Sequence, residues 1–102
     1  MSVLTRMKLR SRTKAAEDLV VGLMGITSSL MADDEFDAAS PRVTAYLKDK
    51  PTAQISDSID GVEGMLAQGA RSPLGRGLLN PDMLVNVRDS LKSELRRRER
   101  NS

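Results

Sequence analysis

An all-α fold, a small bundle of about four helices, follows from three features of the chain. Apolar residues recur every three to four positions in four separate stretches. Helix-start signals stand at Ser40-Pro41 and Asn80-Pro81, and Gly69 is placed to end a helix. Only residues 7–14 alternate in the manner of a strand. The length of 102 residues suits one domain. We divide it into a basic N-terminal arm, residues 1–12, and a helical domain, residues 13–102.

The first helix is expected over about 13–31, with Ala16, Leu19, Val20, Leu23, Ile26 and Leu30 on its apolar face. Gly22 and Gly25 cost that helix ~1 kcal/mol each relative to Ala, and their spacing leaves a shallow groove for a neighbouring helix. The acidic run Asp33, Asp34, Glu35 and Asp37 ends it or forms a hinge. A second helix over about 41–49 starts with Ser40 as cap and Pro41 in the first position, and turns Val43, Tyr46 and Leu47 inward. The third, over about 52–68, carries Ile55, Ile59, Val62, Met65 and Leu66, with Asp57, Asp60 and Glu63 outside. Residues 69–79 hold three Gly and one Pro and read as an irregular connection. Asn80, Pro81 and Asp82 open a long amphipathic last helix over about 81–99, whose stripe is Leu84, Val87, Leu91 and Leu95.

Composition narrows the chemistry. The chain has no His, Cys or Trp, and most neutral-pH catalysis uses an imidazole, a thiolate or a metal bound by them. The remaining carboxylates, Lys, Ser, Thr and Tyr46 show no spacing that signals a reaction, so the chain is expected not to be an enzyme and to need no cofactor or metal. Read as a calcium loop from Asp33, the acidic run has Ala38 where Gly is required and Thr44 where Glu is required. The Gly-rich stretch with Arg71 and Arg76 lacks the Lys-Ser/Thr pair of a phosphate loop. Asp57, Asp60 and Glu63 lie about a turn apart opposite an apolar stripe, the pattern of a solvated face.

Charge is small in sum, +2, and uneven in placement. Arg6, Lys8, Arg10, Arg12 and Lys14 precede the first acidic residue, and Arg96, Arg97, Arg98 and Arg100 crowd the other end. As a strand, residues 7–14 would put Lys8, Arg10, Arg12 and Lys14 on one face, suited to a DNA groove in a two-stranded ribbon. As a helix, the same charges spread around the axis and suit phosphates only diffusely. Cations at the end of the last helix also complement its dipole. The basic segments are therefore candidates for nucleic acid or for an acidic protein surface, such as residues 33–37 of a neighbour.

The chain has 2% aromatics and six Met, which make for adaptable packing against itself or a partner. The stripe Leu84, Val87, Leu91 and Leu95 is either core or a seam with another subunit. The resulting expectation is a structural, assembly or adaptor subunit, packing against copies of itself or a larger assembly such as a virion-type particle. The alternatives are a nucleic-acid-binding protein and a small inhibitor of one protein target. No small-molecule substrate is implied. The apolar stretch from Leu19 to Met31 reads as too short to cross a bilayer, and Glu17 and Asp18 spoil a signal-peptide pattern. A cytoplasmic or particle-bound protein, neither secreted nor transmembrane, is expected.

Overall fold

A computed structural model describes the backbone of residues 3–68 and 81–101, and side chains from residue 14 onward. Four helices and no strand occur among the described residues: α1 Val3–Ala32, α2 Pro41–Leu47, α3 Thr52–Ala67 and α4 Pro81–Arg100. The bundle is all-α. The connection and anion-loop candidate read over 69–79, with Arg71 and Arg76, and the Asn80 cap lie outside the described residues.

The N-terminal arm expected ahead of α1 is part of α1. Residues 3–12 are helical, and the strand suggested by residues 7–14 does not form. Its alternation is made largely of Leu, Met, Lys and Arg, all good helix formers, and no Gly or Pro interrupts residues 3–21. At the other end α1 closes with Asp34 in the left-handed region, at φ 56°. Asp34 N–H donates to the Met31 carbonyl at 3.1 Å and Glu35 N–H to the Leu30 carbonyl at 2.8 Å, the paired bonds of a Schellman cap.

The Ser40 hydroxyl accepts from Val43 N–H and starts α2 as expected, with Pro41 next. α2 stops two residues short of the expected end, where Lys50 N–H turns back to the Leu47 carbonyl and Pro51 leaves the helical region. α3 begins after Pro51 without a side-chain cap.

One continuous core joins all four helices. Leu19, Val20, Leu23 and Leu30 of α1 meet Val43 and Leu47 of α2, Ile55, Ile59 and Val62 of α3, and Leu84, Val87 and Leu91 of α4. Short polar ties lock α2 and α3 onto one segment of α1. Tyr46 Oη–H donates to the Leu19 carbonyl at 3.0 Å, Gln54 Nε2–H to the Ala15 carbonyl at 3.0 Å, and Ser58 Oγ–H to the Ala16 carbonyl at 3.5 Å. Tyr46 lies over Gly22, where a Cβ would sit 2.8 Å from its Cζ. Half of the groove expected from Gly22 and Gly25 is thus filled within the chain. Thr27 is fully buried, and its Oγ1 has no hydrogen-bond partner.

Candidate functional site

The Arg cluster at the end of α4 is two pairs with different work. Glu94 lies in phase with the apolar stripe and is only 4% exposed, a costly place for a carboxylate unless it is paired. Arg97 Nε donates to Glu94 Oε1 at 3.1 Å, and Arg98 Nε donates to Oε2 at 2.7 Å. Burial opposes ionisation of Glu94, but the two guanidiniums prevail and hold its carboxyl below the usual range. Arg98 reaches further, donating to Thr52 Oγ1 at 3.0 Å and to the Leu47 carbonyl at 2.9 Å. One side chain thereby closes the end of α2, the start of α3 and the last turns of α4. Arg97 and Arg98 are occupied by these contacts, whereas Arg96 and Arg100, four residues apart on one helix, are exposed.

The stripe considered as a subunit seam faces inward. Leu84, Val87 and Leu91 have no exposed surface, and Leu95 packs partly buried against the same core. α4 lies against α1, α2 and α3 together, so Leu84, Val87 and Leu91 are the centre of the monomer and leave no surface to a neighbour.

At the N-terminal end, helical phase replaces the strand phase that would have aligned Lys8, Arg10, Arg12 and Lys14. Positions 6, 10 and 14 fall on one side of α1 and positions 8 and 12 on the other. Lys14, the first of these with a described side chain, pairs with Asp18 at 3.2 Å, with both groups largely in water. Such an exposed pair contributes little.

The surface that sequence reading underrated is the outward face of α1. The stretch Lys14–Ala32 runs 19 residues with mean hydropathy 1.3, yet only 33% of it is buried. Because α1 is continuous, this stretch is longer than the Leu19–Met31 segment read as too short for a bilayer, and it is long and apolar enough to cross one by length and composition only, a test that the core helix of a soluble protein also passes. Val21 is 67% exposed, the one large hydrophobic so placed among the described residues. Gly25, one turn on, has open space where a Cβ would point, and Ser28 and Ala32 continue the exposed line. The periodicity marked the buried face of this helix; Val21, out of phase with Leu19, Leu23 and Leu30, was the available signal.

The charges of α1 also oppose its dipole. Basic residues occupy its N-terminal third, where the helix end is positive, and no acidic residue stands in the first turn. The acidic residues Asp33, Asp34 and Glu35 follow its negative end.

A cleft of about 80 Å³ between α2 and α4, lined by Val43, Thr44, Leu47, Ser90, Glu94 and Arg97, is far below the ~300 Å³ at which small-molecule sites begin. No three ligating side chains gather into a group able to hold a metal among the described residues. No family model, curated protein or solved structure matches this chain.

Proposed function

We propose that this chain is a non-catalytic assembly or adaptor subunit that works by helix packing, with the outward face of α1 as its contact surface. The observation that carries this reading is the outward side of α1, where Val21 is 67% exposed and Gly25, one turn on, has open space where a Cβ would point. Apolar surface left in water is a standing drive toward association, and an open Gly lets a second helix come close. The contact lies on α1 and not on the α4 stripe, whose leucines are enclosed.

The alternative in which basic segments bind nucleic acid draws less support, because Arg97 and Arg98 are tied to Glu94 and helical phase divides the N-terminal cations. The test is a photo-crosslinking side chain at position 21, with the same group at exposed Asp60 as control, in cells that make the protein. The reading expects a defined adduct from position 21 and none from position 60. Adducts from neither position, or recovery of the chain with lipid in the membrane fraction, would refute it.

A further inference from the structure

The cleft between α2 and α4 carries charge that the fold does not require. We propose that it receives a carboxylate on a short aliphatic stem, the Glu side chain or the chain terminus of a partner protein. The assembly reading supplies the source of that carboxylate, while the site itself stands apart from the α1 face.

Ser90, Glu94 and Arg97 follow at intervals of four and three along α4, so they share the side of that helix turned to α2. Ser90 and Glu94 are almost wholly buried there. A buried ion pair adds little stability over apolar side chains of the same volume, and Val43 and Leu47 opposite would pack as well on Leu or Val. The contact is instead left open as a cleft of about 80 Å³, room for about three waters or for the end of one side chain.

Charge and shape select the occupant. One carboxylate, Glu94, stands against Arg97, Arg98 and, on the cleft wall, Arg100. The wall is therefore electropositive with Glu94 fully ionised, and it repels an amine or a metal cation. Arg97 spends Nε and one Nη on Glu94, which holds the guanidinium in place and keeps its other N–H donors for a second acceptor. Arg100 is exposed and makes no ion pair among the described residues. Guanidinium forks match a planar carboxylate, and the buried Val43 and Leu47 match a hydrocarbon stem. A phosphoryl group brings a second charge towards Glu94 and has no stem for that floor.

Propionate, the Glu side chain as a free acid, is the first probe. Amide spectra of the isotope-labelled full-length chain are followed as sodium propionate replaces sodium chloride at constant ionic strength, with propionamide as the uncharged control. Amides of residues 38–44 and 90–97 should shift together and saturate, with half-saturation at about 1–50 mM for so small a ligand, and propionamide should leave them in place. Arg100→Ala should weaken binding at least about fivefold with the melting curve unchanged, and Ser93→Leu, which fills the cleft, should abolish it. Two capped peptides then separate the sources, one with an internal Glu and an amidated end, the other with a free terminal carboxylate and no acidic side chain. Equal shifts with propionamide, shifts scattered over surface lysines, no saturation, or indifference to Arg100→Ala would overturn the carboxylate site. Propionate binding with neither peptide bound would overturn the partner assignment. A position-21 adduct beside a silent cleft leaves the assembly reading standing while this inference falls.

Discussion

Removing the Arg98 guanidinium should unfasten three helices at once. Arg98→Ala deletes a charge-assisted bond to Glu94 at 2.7 Å, a bond to the Leu47 carbonyl at 2.9 Å and a bond to Thr52 Oγ1 at 3.0 Å. A hydrogen bond to a charged group contributes roughly 1.5–3 kcal/mol and a neutral one about 1 kcal/mol. Against this stands about 2 kcal/mol of side-chain entropy that the truncated residue no longer loses on folding. Arg97 continues to neutralise Glu94, so the loss stays below the ~3–5 kcal/mol typical of a fully broken buried pair. The net expectation is a destabilisation of about 2–3 kcal/mol, which for a domain of this size lowers Tm by roughly 8–24 °C. Arg98→Lys should recover less than half, since one ammonium cannot span the three acceptors. Thermal melting followed by circular dichroism is sufficient, with exposed Arg96→Ala as the control, expected within about 0.5 kcal/mol of the parent. If Arg98→Ala melts where Arg96→Ala does, the tether is energetically idle and the division of the arginine cluster is wrong.

Other substitutions test separate parts of the bundle. Gly22→Ala places a methyl against the Tyr46 ring and dislodges its bond to the Leu19 carbonyl; denaturant unfolding should show a loss of about 1–2 kcal/mol despite the better helix propensity. Gly61→Ala, in open space on α3, should instead gain up to about 1 kcal/mol in the same assay. Thr27→Val replaces a buried hydroxyl that has no partner with a methyl of the same shape and should stabilise by about 1 kcal/mol. Stability should also fall at both ends of the pH range. The Glu94 carboxyl is held below its ordinary range in the fold, so its contribution is present above that range and is lost as pH falls through the lowered value. Tyr46 is pushed up, first by burial and then by nearby Asp18, so its contribution is present below the ordinary phenol range and is lost as pH rises through the raised value. Glu94→Gln should flatten the acid limb of a Tm–pH profile and Tyr46→Phe the alkaline limb, each leaving the other limb in place.

The helical architecture was legible because it rests on local signals. Ser40-Pro41 and the spacing of Ile55, Ile59 and Val62 act within a turn or two of the chain, and the structure uses them as read. The start of α1 was misplaced because alternating charges in residues 7–14 look alike to a period-two and a period-four reading, and no breaker residue decided between them. Leu84, Val87 and Leu91 are equally consistent with core and seam until the other three helices are in place around them. The Arg98 tether needed tertiary contact, since its acceptors at Leu47 and Thr52 lie about half the chain away in sequence. Part of it was visible nonetheless: Glu94 falls on the apolar stripe with Arg97 and Arg98 at the i+3 and i+4 positions that can reach it. The exposed face of α1 is masked in the sequence by the stronger periodicity of its buried one.

Light scattering on the tagged chain, taken gently from cells that make it, bears most directly on whether contact surface is this protein's work. A particle of at least twice the 11.1 kDa monomer mass is expected, collapsing to the monomer when Val21 is replaced by Arg while the melting curve is unchanged. A parent protein already monomeric in that extract, or an assembly indifferent to Val21→Arg, would contradict it.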